Sequence, residues 1–156
     1  MKELLEYISV RLNKFSLVLA VSCLLIMVFT LFIGVFFRYV MNDALTWSDE
    51  IGLLSFSWSI FLCSSVLVYE KSHANLTLFL DVLPKRMASK IQTANTILIG
   101  LFGLVLLISG WQFISFIAGQ VSPTIRYPLW LQVIPIPISG GLIVLHTINQ
   151  LIQTKE

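Results

Sequence analysis

Four stretches of this chain carry no charged side chain over a length that can cross a bilayer, and that property excludes most folds. They run from about residues 15 to 37, 51 to 69, 91 to 118 and 133 to 152. A bilayer core is about 30 Å thick and a helix rises about 1.5 Å per residue, so roughly 20 apolar residues are enough to span it. In hydrocarbon every backbone N–H and C=O must find a partner within the protein, which leaves helices or closed barrels. Uninterrupted runs of this length read as helices. The expected fold class is an all-α integral membrane protein of four transmembrane helices, a single membrane domain over residues 1–156. Charged residues make up 12% of the chain, about half the share in a soluble domain.

The distribution of the few charges sets the expected orientation. With the N-terminus in the cytoplasm, the inner segments hold Lys2, Arg11, Lys14, Lys71, Lys85, Arg86, Lys90 and Lys155, and the outer loops hold Arg38 and Arg126. That is a pronounced positive-inside bias, which predicts both termini in the cytoplasm. The first apolar run ends in Phe36-Phe37-Arg38-Tyr39 and not at a small-residue cleavage site, so it reads as an uncleaved span. Before it, Leu5, Ile8 and Leu12 share one helical face, which predicts an amphipathic lead-in on the membrane surface. Between the second and third runs Leu76, Phe79, Leu80 and Leu83 recur at helical spacing, predicting a second interfacial helix over about 75–83, ended by Pro84.

Small residues predict how the helices pack. Ser48, Gly52, Ser55, Ser59 and Cys63 follow one another at steps of three and four, and Gly103 and Gly110 lie one heptad apart. Ser139-Gly140-Gly141 forms another small patch. Such stripes let membrane helices approach closely. Thr46 and Asp49 fit the capping box that opens a helix, and Asp49 and Glu50 would sit in its first turn, where the dipole favours negative charge.

The outer segment from Ser122 to Pro137 contains Pro123, Pro128, Pro135 and Pro137, with Arg126, Tyr127 and Trp130. Proline ends a preceding helix and biases its neighbour to extended geometry. Tyr and Trp favour the water–lipid boundary, and Trp47 and Trp130 fit such a belt. The segment therefore reads as a proline-shaped return into the membrane. Trp58 and Trp111 fall inside apolar runs, where an indole N–H needs a partner, and contact with other helices in this chain or another subunit is expected.

Little in the chain could carry chemistry. His146 is the one ionisable group expected in the bilayer core. Coupled transporters place ion-binding groups along their pathway, so this chain is not expected to move a charged solute by itself. Cys23 and Cys63 lack metal-ligand spacing and read as small apolar side chains. No enzymatic activity, metal, cofactor or nucleic-acid partner is expected. His73 and His146 leave a haem-bearing respiratory anchor open, although their depths would differ by about 10 Å. A small transporter working as a homo-oligomer is the other alternative. For Asp49 and Glu50 the readings are helix capping or docking of an extracytoplasmic partner. For Arg38 and Arg126 they are snorkelling to lipid phosphates or a specific lipid or partner contact.

Taken together, Arg38 after the first span, Trp47-Ser48-Asp49-Glu50 opening the second, His73 after it, Leu83-Pro84 before the third, and Ser122-Pro123 followed by Pro128-Leu129-Trp130 and Pro135 resemble a known family. It is the small membrane (Q) subunit of tripartite ATP-independent periplasmic (TRAP) transporters, and the resemblance covers nearly the whole chain. It implies a bacterial inner-membrane protein with two protein partners. One is a large membrane (M) subunit holding the sodium-coupled, elevator-type path. The other is a periplasmic substrate-binding (P) protein that delivers an organic anion such as a dicarboxylate, a sialic acid or another sugar acid. The Q subunit would enlarge the fixed scaffold and help dock the P protein. On this reading Arg38, Trp47, Asp49, Glu50, Arg126 and Trp130 would contact the P protein or membrane phospholipid. Gly52, Ser55, Trp58 and Ser59 would pack on the large subunit, Ser122, Pro123, Pro128 and Pro135 would shape the outer loop, and His73, Phe79, Leu80 and Leu83 would form a cytoplasmic interface.

Overall fold

The computed structural model describes residues 2–70 and 85–154. Five helices account for nearly all of them: α1 (Lys2–Val40), α2 (Thr46–Tyr69), α3 (Lys85–Ile117), the short α4 (Trp130–Val133) and α5 (Pro135–Thr154). Among the described residues four spans are long and apolar enough to cross a membrane: Glu6–Val40, Thr46–Tyr69, Lys90–Ile117 and Trp130–Ile152. The expected interfacial helix over 75–83, with His73, Phe79, Leu80 and Leu83, lies outside the described residues.

The contacts set the four long helices in a row in the order α1, α2, α5, α3, with a minor contact between α1 and α5 as well. The most extensive contacts are those of α1 with α2 and of α3 with α5, and a smaller α2–α5 contact joins the two pairs. The edge helices α1 and α3 make no extensive contact with each other. Burial follows this order: 39% and 44% of the most apolar windows of α2 and α5 are buried, against 17% and 11% for α1 and α3.

The lead-in and the first span are one continuous helix of 39 residues, a correction to the expected surface helix followed by a span. At about 1.5 Å per residue it is close to 60 Å long, far more than a bilayer core. A stripe of small and polar residues runs along it: Ser9, Asn13, Ser16, Ala20, Thr30 and Gly34 are all buried. Ser9 and Asn13 fall on this stripe, so the N-terminal turns pack inward with the rest. The helix ends at Val40, where Asn42 takes the left-handed conformation (φ 52°) and the Met41 and Asp43 amides donate back to the Phe37 carbonyl. Asn tolerates that conformation in place of the more usual glycine.

The α2 stripe faces this one. Ser48, Gly52, Ser55 and Ser59 are buried, a methyl group placed on Gly52 would lie 2.9 Å from Leu31 Cδ2, and one on Gly34 would clash with the Ser48 side chain. The expected assignment of Gly52, Ser55 and Ser59 to a large-subunit surface is corrected accordingly, because α1 covers that face. Cys63 leaves the stripe and is exposed, and both cysteines are free thiols.

The α3–α5 pair is closer still. A methyl group on Gly140 would lie 2.6 Å from the Leu107 amide nitrogen and 2.7 Å from the Gly103 carbonyl oxygen, so backbone meets backbone there. Gly110 sits under Pro137 and Gly100 under Thr147 in the same way. Gly103, Gly110 and the Ser139–Gly141 patch are thus the packing positions the sequence pointed to.

Candidate functional site

At the end of the row opposite the two termini, α2 holds two neighbouring segments at once through Asp49 and Glu50. Successive residues of a helix point about 100° apart. Asp49 turns toward the end of α1, where Arg38 Nη2 donates to its Oδ2 at 3.1 Å. Both side chains are about half exposed or more (49% and 64%), so this pair is worth little by itself. Glu50 turns the other way, toward the proline loop. Its Oε2 accepts from Ser122 Oγ at 2.9 Å and from the Ile125 amide at 2.8 Å, and its Oε1 accepts from the Thr124 amide at 2.7 Å.

The loop that Glu50 grips is a tight hairpin. The Ser122 amide donates to the Tyr127 carbonyl at 2.9 Å, the Leu129 amide to the Gln120 carbonyl at 3.0 Å, and Val121 bridges Pro128. Pro123 to Arg126 form its tip. Arg126 is left-handed there (φ 62°) and exposed, a conformation L residues other than Gly, Asn and Asp adopt at some strain. The tip leaves the Thr124 and Ile125 N–H groups directed at one point, and a carboxylate is the group that takes both.

Deeper along α2, the returning chain is held by side chains. Pro135 is the first residue of α5 and has no N–H, so the Leu131 carbonyl lacks its usual helical donor. Trp58 Nε1 supplies one at 2.9 Å, and Ser57 Oγ donates to the next carbonyl, Gln132. Trp58 stands ~12 Å below Glu50 along α2. The loop therefore descends against α2 with its exposed carbonyls satisfied, as hydrocarbon requires. Tyr127 Oη donates to Gln132 Oε1 at 3.0 Å, and burial, with the Glu50 carboxylate second, raises its hydroxyl above the ordinary tyrosine range. Trp130 is half-buried, while Trp47 is exposed (38%).

The structure thus brings together Arg38, Asp49, Glu50, Ser122, Pro128, Trp58 and Trp130, while Arg126, Pro123 and Trp47 form the outer surface. One expectation is corrected. Leu45, not Thr46, is the N-cap and makes no side-chain cap hydrogen bond, so the capping box does not form. Asp49 is committed to Arg38 instead. The Trp58 indole N–H finds its partner within the chain, one of the two alternatives expected for it, and the side chain stays half-buried. The grip of Glu50 on the hairpin went unforeseen; Ser122-Pro-Thr at a proline turn, with bare amides and an acidic residue at the same outer level, was the available signal.

At the opposite end, His146 is 1% exposed and meets the Tyr69 ring edge-on with centroids 5.1 Å apart. Neither ring nitrogen has a hydrogen-bond partner among the described residues. The haem alternative would also need His73, which lies outside the described residues. No group of three His, Cys, Asp or Glu suited to a metal occurs among them.

Comparison with known proteins adds one match and one absence. The family model described as "Tripartite ATP-independent periplasmic transporters, DctQ component" matches residues 27–155. No curated protein matches the chain.

Proposed function

The chain belongs to the DctQ component family of tripartite ATP-independent periplasmic transporters, a transporter component and not an enzyme, and on that premise we propose that it is the fixed scaffold partner of a large, sodium-coupled M subunit. The family match over residues 27–155 carries this reading. The described spans support it, since His146 is the one ionisable side chain deep within them and no acidic group lies there to serve a coupling ion. The row of helices enlarges the stationary part of the M subunit, and organic-anion selectivity resides in the M subunit and the periplasmic binding protein. The protein sits in the bacterial inner membrane with both termini in the cytoplasm, as its basic residues favour.

The outer surface formed by Arg38, Trp47, Asp49, Arg126 and the loop tip contributes to docking the binding protein, with phospholipid headgroups around Trp130. Glu50 acts from behind this surface by holding the tip in shape. A C-terminal tag after Glu156 and gentle solubilisation from native membranes test the proposal. Stoichiometric recovery of a much larger polytopic protein is expected. Recovery of this chain alone as a stable homo-oligomer would refute the scaffold reading and favour independent transport.

A further inference from the structure

The two edge helices of the row present different chemistry to their surroundings. On the outward face of α1, Val18, Leu25, Phe29, Phe32 and Tyr39 are exposed. The polar residue Ser22 on that face closes its own hydrogen bond, donating to the Val18 carbonyl at 2.8 Å. Along this face, up to Tyr39 at its outer end, the side chains are apolar or hydrogen-bonded within the helix. The outward face of α3 carries Leu101, Val105 and Ile108, and then Gln112, directly opposite the glycines that pack on α5. Gln112 is exposed, and its amide has no partner among the described residues; the same holds for Ser109 Oγ and for the indole N–H of Trp111, which is 68% exposed.

These groups lie at hydrocarbon depth. They fall inside the span Lys90–Ile117. Gly110 packs on Pro137, ~10 Å of helix below Trp130, and the Leu131 carbonyl next to Trp130 is bonded to Trp58, itself ~12 Å below Glu50. Lipid tails offer no acceptor or donor at that level, and an unpaired amide there is costly. Gln112 also follows Val105 and Ile108 at the three–four spacing of a helix-packing seam, where one polar residue fixes register.

We infer that the outward face of α3, centred on Gln112 with Ser109 beside it, is the seam against the large membrane subunit, which meets it with polar backbone or side-chain groups of a transmembrane segment. α1 is the lipid edge. The assignment rests on the proposed function, since it needs that subunit to exist.

The test uses the full chain co-expressed with the large membrane component of its own transporter. A photoreactive benzoylphenylalanine replaces Gln112, or Phe29 on α1 as comparison. Irradiated membranes should give a covalent adduct with the large component from position 112, several-fold above position 29. In the unlabelled complex, Gln112→Leu should speed dissociation about three- to tenfold, the range for a hydrogen bond between membrane helices, with helix content unchanged. An adduct from position 29 but not 112, an adduct of 112 with lipid alone, or one with a second copy of this chain overturns the assignment. If the large component still co-purifies in those cases, the proposed function stands and only the seam is wrong. If the unmodified chain captures no large component, both fall.

Discussion

Replacing Gly140 by alanine, with Gly141→Ala beside it, isolates the close approach of α3 and α5. A methyl group on Gly140 would stand 2.6 Å from the Leu107 nitrogen, whereas one on Gly141 would touch Leu107 Cδ1 at an ordinary 3.9 Å. Comfortable contact begins near 3.4 Å, so the backbones must separate by 3.4 − 2.6 = 0.8 Å at Gly140. A gap of that size forfeits a quarter to a half of the dispersion attraction of the atoms lining it. Overpacking of this kind costs about 1–3 kcal/mol. Both variants gain up to about 1 kcal/mol of helix propensity, which cancels in their comparison. Gly140→Ala should therefore be about 1–3 kcal/mol less stable than Gly141→Ala when unfolding in detergent is followed by circular dichroism. Equal stability within about 0.5 kcal/mol would mean that the helices do not meet backbone to backbone at Gly140.

Other outcomes follow from the loop end. Glu50→Gln should loosen the hairpin and speed tryptic cleavage after Arg126 in right-side-out vesicles, while Asp49→Asn, which breaks only an exposed pair, should leave the cleavage rate close to that of the unmodified chain. Trp58→Phe should destabilise the protein by about 1–3 kcal/mol in the same unfolding assay, because the Leu131 carbonyl loses its donor. The raised Tyr127 hydroxyl should titrate above pH ~10 in ultraviolet difference spectra against Tyr127→Phe. A raised value in the folded state means that this stabilisation is intact below the ordinary tyrosine pKa and is lost as pH rises through the higher one. Glu50→Gln should lower that midpoint. Arg126→Gly should remove the charge while relaxing the left-handed tip, so weaker binding of the periplasmic protein with an unchanged tryptic pattern elsewhere would tie docking to the charge itself.

The spans were legible because uncharged length is a property of the sequence alone, and so were Gly103, Gly110 and Gly140, whose missing side chains have no other use in a membrane helix. Which stripe meets which was not legible. The α1 stripe of Ser9, Asn13 and Ser16 looked like part of a surface helix because charged residues surround it, and only the partner helix shows that its polar groups turn inward. The Ser48–Ser59 stripe was visible, but its occupant, α1 or another subunit, depends on tertiary pairing. Asp49 and Glu50 look alike in sequence and diverge because one helical step separates their directions. The Trp58–Leu131 bond was foreseeable only in outline: Pro135 announces an unpaired carbonyl, but not which indole reaches it.

The order of packing bears on how the protein is made. Each extensive contact joins spans that emerge in succession, α1 with α2 and then α3 with α5, so two closed hairpins can leave the insertion machinery one after the other. The seam between them forms last, by lateral association of helices already in the bilayer. Ser57, Trp58 and Glu50 wait on the first hairpin for carbonyls and amides of the returning loop, which exist only after α3 has been synthesised. A chain cut short before Leu131 would leave Ser57 and Trp58 of α2 with no carbonyl to bind, while Glu50 would keep its partners in the hairpin.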